Sequence, residues 1–176
     1  CGGELPEAYA LINPKLPGSA YPFQDLAGVG VAFKLVCALA GRTQLQTMID
    51  RFSELVCLGT VADVMPLWDE NRIIVSCGLK RLERTGNLGL RALVEKAGLG
   101  GKKMTASALS YPLCPRINAV GRIGCAMRAV ELFLADSQAK AAAIAGELCE
   151  INRRRQEEEA SILEDAVARI EGEPAY

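Results

Sequence analysis

The 176-residue chain contains no histidine. Nucleophile pairs that need an imidazole, Ser-His or Cys-His, are therefore excluded within it, and hard metal chemistry is left to carboxylates. An excess of either charge is lacking too: 20 Lys and Arg stand against 21 Asp and Glu, a net charge of −1. The overall balance gives no electrostatic reason to bind nucleic acid, so any such contact has to come from a local patch. The seven cysteines, Cys1, Cys37, Cys57, Cys77, Cys114, Cys125 and Cys149, include no pair at CxxC spacing, which argues against a zinc site. Several lie in apolar runs, where a thiol acts as a small hydrophobe, the pattern of reduced thiols in a cytoplasmic protein. The longest apolar run, Leu26 to Ala40, is too short to span a membrane and contains Lys34. The opening residues have neither the basic segment nor the apolar stretch of a signal peptide. There is no initiating Met, and Tyr176 follows directly on a helical pattern, so both ends read as cut. The expectation is a soluble, cytoplasmic chain without membrane contact.

What is present suits one domain or most of one. Half the residues are hydrophobic and 23% are charged, enough apolar material for a core. Residues 8–13, AYALIN, read as a short strand ended by Pro14, followed by a Pro- and Gly-containing loop to Phe23. Gln24 or Asp25 can cap a helix reaching about Ala40, with Gly41 as its stop. Leu45, Met48, Ile49, Phe52, Leu55 and Val56 recur at helical spacing and run into the apolar CLGTVADVMPLW, which Pro66 ends. Asp69 and Asn71 offer caps for a helix over about 72–84, and further helices are predicted over about 88–97, from Thr105 or Ser107 to Pro112 or Pro115, over about 125–134, and from Asp136 or Ser137 to about Glu171. The middle of the last, NRRRQEEE, is polar all round. Such a helix either bridges two domains through solvent or lies on a surface, supported by pairs such as Arg154 with Glu158.

Four features carry possible chemistry. Asp63 is the only charged residue between Glu54 and Asp69, in a stretch expected to be buried. An ionised carboxylate there needs a cation or metal; the other readings are a helix cap or a salt bridge to a core arginine. PRINAVGR, residues 115–122, is expected as a loop placing Arg116, Asn118 and Arg122 around small residues. Two guanidinium forks and an amide suit a phosphate, and two surface arginines flanking a turn would look the same. Gly28 and Gly30 begin an apolar helix without completing a nucleotide-binding fingerprint, so close helix packing accounts for them better. The run Arg153–Arg155 reads as a solvated face neutralised by Glu157, Glu158 and Glu159.

Taken in order, LPEAYALINPKLPGSAYPFQDLAGVGVAFKL, LVCLGTVADVMPL, ENRIIVSCGL and PRINAVGRIG closely resemble the single-stranded-DNA exonuclease branch of the DHH phosphoesterase family. The resemblance covers nearly the whole chain, and LGTVADVMPL and PRINAVGR are its most specific pieces. It implies an α/β family fold with a parallel sheet, of which this chain is a mainly α portion. Residues 1–135 would be the C-terminal part of the DHH core domain and 136–176 a long interdomain connector helix. It implies a parent enzyme that hydrolyses single-stranded DNA 5′ to 3′ in recombination and repair, using Mn2+ or Mg2+, with other repair proteins as partners. Asp63 matches the last metal-binding aspartate of the family, and Arg116, Asn118 and Arg122 match the loop lining the DNA-phosphate path. The departures are a missing DHH motif, missing histidines, and Cys125 where relatives often carry Asp. The chain alone is therefore expected to bind no metal and to be inactive. Two alternatives stand beside this: another DHH phosphodiesterase acting on short oligonucleotides or cyclic dinucleotides, and a non-catalytic helical module that binds a protein through its long helix.

Overall fold

The computed structural model describes residues 5–122 and 126–172, and these are helical, with no strand among them. The elements are α1 (Gly28–Ala40), α2 (Leu45–Ala62), α3 (Asp69–Leu82), α4 (Leu88–Lys96), a single turn α5 (Ala106–Ala108), α6 (Cys114–Arg122), α7 (Ala126–Phe133) and α8 (Gln138–Gly172). The strand expected at 8–13 does not form. A strand needs a hydrogen-bonding neighbour, and none of the described residues supplies one. The chain divides into two compact units, one up to Gly78 and one from Leu79.

In the first unit α1 packs on α2. The small residue this contact requires lies on α2: a Cβ on Gly59 would stand 2.6 Å from Val29 Cγ1. Gly28 has nothing within 4 Å of its Cβ position, and Gly30 meets only the Leu26 side chain. Gly28 and Gly30 are thus not the packing glycines that their spacing suggests. Gly78 in α3 is a second close contact, its Cβ position lying 2.2 Å from Cys57 Cβ and 2.5 Å from the Ser53 carbonyl. Gly41 stops α1 with a φ of 79°, its N–H bonded to the Cys37 carbonyl at 3.1 Å, as a helix-ending glycine should. No helix among the described residues is long and apolar enough to cross a membrane.

In the second unit α4, α6 and α7 pack against α8. Their shared core contains Leu90, Leu93, Leu109, Leu113, Val120, Leu132, Ile144 and Leu148, all essentially inaccessible. Asn87 caps α4, accepting the Leu90 N–H at 2.9 Å, and its Nδ2 donates to the Phe133 carbonyl at 2.9 Å. The cap thereby fastens α4 to the end of α7. Thr105 caps α5 in the same way, accepting the Ala108 N–H at 3.1 Å.

Two expectations fail in this unit. Pro112 and Pro115 do not end the helix: Leu109–Leu113 form a π-helical turn that leads straight into α6. Shifting the bonding by one residue gives room for proline, which has no N–H and clashes with the carbonyl four residues back. PRINAVGR is consequently helix, not loop. Cys125 lies outside the described residues.

Only the first half of α8 is covered. Ala141, Ile144, Ala145, Leu148 and Asn152 are buried, while residues 156–172 are exposed throughout. The polar middle is held by its own ion pairs. Arg153 bonds Glu150 at 2.7 Å and also Glu157, Arg154 bonds Glu150 at 3.0 Å, and Arg155 bonds Glu159. Arg154 thus pairs one turn back with Glu150, where Glu158 was expected. The two guanidinium groups, Arg153 first and then Arg154, hold the Glu150 carboxyl down at about 2.

Candidate functional site

Asp63 sits at the C-terminal end of the 18-residue helix α2, as its C-cap residue, and it is exposed. This corrects the expectation of burial: the apolar run does go inside, with Cys57, Leu58, Thr60 and Val61 covered, but the helix ends at its last residues and turns Asp63 out. Asp63 occupies the C-cap position of α2 and not an N-cap, and it makes no ion pair among the described residues. A carboxylate at a helix C-terminus faces the negative end of the helix dipole, so a cation beside it relieves an unfavourable placement.

The turn that carries Asp63 is closed by three main-chain bonds. The Asp63 N–H reaches the Gly59 carbonyl at 3.0 Å, Val64 N–H the Val61 carbonyl at 3.1 Å, and Met65 N–H the Thr60 carbonyl at 3.2 Å. The last two form the crossed pair of a Schellman ending, a motif that places its next residue in the left-handed region and favours glycine there. Here that residue is Val64, with φ at 53°, an outlier for a β-branched side chain.

The loop from Val64 to Trp68 is tied to the segment before α1. Trp68 meets Phe23 edge to face with ring centroids 5.5 Å apart. Asn71, fully buried, donates from Nδ2 to the Asp25 carbonyl at 2.7 Å and the Pro66 carbonyl at 3.0 Å. Glu70 accepts from the Tyr21 hydroxyl at 2.9 Å and from Lys34 Nζ at 2.8 Å. Burial disfavours the Lys34 ammonium, but its bonds to Glu70 and Tyr21 outweigh that and its pKa is raised. In sequence Asn71 reads as a cap, and Glu70, Lys34 and Tyr21 do not stand out. Nothing in their spacing marks them, because their partners lie more than thirty residues away for Lys34–Glu70 and Tyr21–Glu70.

In the second unit, Arg116, Asn118 and Arg122 share α6 without sharing a face. Asn118 is exposed, and position 122 lies one turn on from it. Arg116 is half-buried and stands roughly 120–160° round the helix from both. One of its guanidinium nitrogens donates to the Pro112 carbonyl in the π turn, and its Nε is buried without a hydrogen-bond partner among the described residues.

No family model matches the chain. Among curated proteins, the single-stranded-DNA-specific exonuclease RecJ of Bacillus subtilis is 41% identical over 97% of this chain and 21% of its own length. RecJ of Escherichia coli is 39% identical over 97% of this chain and 31% of its own. The crystal structure of Thermus thermophilus RecJ in complex with Mg2+ superposes with a TM-score of 0.74 at 39% identity, over 83% of this chain and 23% of that one. A structure of exonuclease RecJ bound to manganese gives 0.74 at 38% identity, over 89% of this chain and 38% of that one. The chain spans between a fifth and a third of the length of these curated relatives. Agreement in sequence over nearly all of it, and in backbone over more than four-fifths, makes this chain a segment of RecJ type.

Proposed function

We propose that the protein carrying this chain is a metal-dependent exonuclease for single-stranded DNA, and that the chain contributes one ligand to its metal centre and part of its nucleic-acid path. The observation that carries the reading is Asp63: an exposed carboxylate, without an ion pair among the described residues, at the negative end of a long helix in a segment of RecJ type. On this reading the substrate is degraded 5′ to 3′ during recombination and repair. The parallel sheet of the DHH fold lies in the rest of the protein, residues 1–135 complete its core domain, and 136–176 connect it to a second domain.

Hard divalent cations such as Mn2+ and Mg2+ take oxygen donors, and Asp63 fits as one of them. Among the described residues no group of three or more His, Cys, Asp or Glu could hold an ion; on this reading Asp63 is one ligand of a centre that the rest of the protein completes. A divalent ion held there would supply Lewis-acid chemistry toward the phosphodiester. The part played by this chain is narrower: to present the Asp63 carboxylate at a fixed place, and to hold the strand. Asn118 and Arg122, one turn apart, are the positions assigned to phosphate contact, while Arg116 lies towards the other side of α6.

The test is release of label from 5′-labelled single-stranded DNA by the full-length protein with Mn2+, against a duplex of the same sequence. Rapid loss of the single strand with the duplex spared is the expected result, and the isolated chain should release no label. Equal degradation of both substrates, or none of either, would overturn the reading. The exposed stripe Ile162, Leu163, Val167 and Ile170 on α8 is the surface that a non-catalytic interaction module would use, and such a module would leave both substrates whole.

A salt titration separates the two arginines. Arg122→Ala in the full-length protein should make the slope of log affinity against log salt shallower, by roughly 0.7 for each single-strand phosphate that the protein no longer neutralises. Arg116→Ala should also lower the melting temperature, because Arg116 serves the Pro112 carbonyl. A slope unaltered by Arg122→Ala would remove that residue from the DNA path.

A further inference from the structure

We infer that Asn71 is a positioning residue, whose buried carboxamide sets the direction of the Asp63 carboxylate; the inference rests on the proposed role of Asp63 as a metal ligand. Asn71 lies in the first turn of α3 and touches no reacting group. Its amide is completely buried, so what it bonds matters to the local fold. Its Nδ2 bonds two main-chain carbonyls from different segments, Asp25 ahead of α1 and Pro66 in the loop after Asp63.

That loop is held at both ends. At one end the crossed bonds of Val64 and Met65 close α2. At the other, Asn71 grips Pro66, and Phe23 packs on Trp68. Val64, itself a donor in the crossed pair, stands in the left-handed region at φ 53° and is 88% exposed. Packing around its own side chain therefore cannot be what keeps Val64 there. A strained backbone persists only where its surroundings over-determine it; here the crossed bonds hold Val64 from the helix side and the buried Asn71–Pro66 bond holds the loop on its other side. Without it, the turn is held only by the crossed bonds of the Schellman ending, and the peptides that follow Asp63 can shift and let the carboxylate change direction. Outer residues that orient a metal ligand act in this way, and their loss weakens metal binding without removing a ligand.

The experiment compares wild type, Asn71→Ala, Asn71→Ser and Asp63→Asn in the full-length protein. Mn2+ binding is read directly from the spin-resonance signal of the free ion, alongside turnover, KM for single-stranded DNA, and melting. Asn71→Ala should weaken Mn2+ binding by roughly ten- to a hundredfold, leave KM for DNA within about twofold, and recover most of its turnover at saturating Mn2+. Asn71→Ser keeps one donor and should fall between; it also answers the question if the alanine variant does not fold. Wild-type Mn2+ affinity with a lowered melting temperature in both Asn71 variants would make Asn71 merely structural and overturn the inference. Asp63→Asn tells the two failures apart. If it loses Mn2+ affinity while the Asn71 variants keep theirs, only the positioning role is wrong. If it binds Mn2+ as wild type does, the metal role of Asp63 is wrong, and the role of Asn71 falls with it.

Discussion

Asp63→Asn in the full-length protein is expected to cut Mn2+-supported degradation of single-stranded DNA by on the order of 10²- to 10³-fold, the scale on which removing one electrostatic contact at a reacting centre acts, while the fold becomes no less stable. The substitution keeps the shape of the side chain and removes its charge. The first half of the expectation follows from the role proposed for the carboxylate, since an amide is a poor donor to a hard cation. The second half follows from its place. Asp63 is exposed, makes no ion pair among the described residues, and ends an 18-residue helix. A negative charge there works against the helix dipole by about 0.3–1 kcal/mol, so the variant should melt at the same temperature or slightly above it. Lost turnover together with retained or improved stability is the mark of a residue kept for function at some cost to the fold. Near-normal turnover would return Asp63 to the class of ordinary surface acids. A clear fall in melting temperature would mean that its carboxylate holds the turn together.

Gly89→Ala should be the most damaging single methyl group in the chain. A Cβ at Gly89 would lie 1.9 Å from the Leu132 carbonyl oxygen and 2.6 Å from its carbon. Both are backbone atoms of α7, so no rotamer change relieves the clash; α4 and α7 have to move apart. That movement pulls on the Asn87–Phe133 bond and opens the core around Leu93 and Leu132, neither of which is exposed at all. Overpacking of this kind costs about 3 kcal/mol or more, which for a chain of this size lowers the melting temperature by roughly 6–12 °C. Gly146→Ala is the control. It lies in α8 with nothing within 4 Å of its Cβ position, and replacing glycine inside a helix should stabilise by about 0.5–1 kcal/mol. Thermal unfolding of the two variants beside wild type checks both signs; a Gly89→Ala protein that melts like wild type would mean that the helices are not in backbone contact.

The same glycines mark where sequence reasoning stops. Helix periodicity locates α2, α4 and α8 closely, because each buries a face that repeats with the helical turn: Leu90 and Leu93 on α4, Ile144 and Leu148 on α8. It cannot say which glycine faces a neighbour, since that depends on a partner far along the chain. Gly28 and Gly30 stand out to the eye, while Gly59, Gly78 and Gly89, inconspicuous in sequence, make the close contacts. Pro112 and Pro115 mislead for a similar reason: a proline forbids a regular helical bond, but whether the chain ends the helix or widens one turn is decided by packing. Asp63 is conspicuous as the odd charge in an apolar run, yet its surroundings are not legible, because the run is buried up to Val61 and the chain turns outward two residues later. The residues that hold its loop, Asn71 above all, give no signal, since a buried amide that bridges two loops looks in sequence like any capping asparagine.

The uncovered half of α8 turns chain length into an angle. Successive side chains on a helix are about 100° apart, and every residue from 156 to 172 is exposed. Whatever this stretch carries at its far end is therefore oriented by the number of residues before it. Losing one residue from the polar middle, between Asn152 and Ile162, would swing the stripe of Ile162, Val167 and Ile170 by about 100° and draw it in by about 1.5 Å. Losing seven would return it to within about 20° of its present bearing while shortening the reach by roughly 10 Å. The polar middle thus fixes phase more tightly than distance, and its amino acids can vary far more freely than their count.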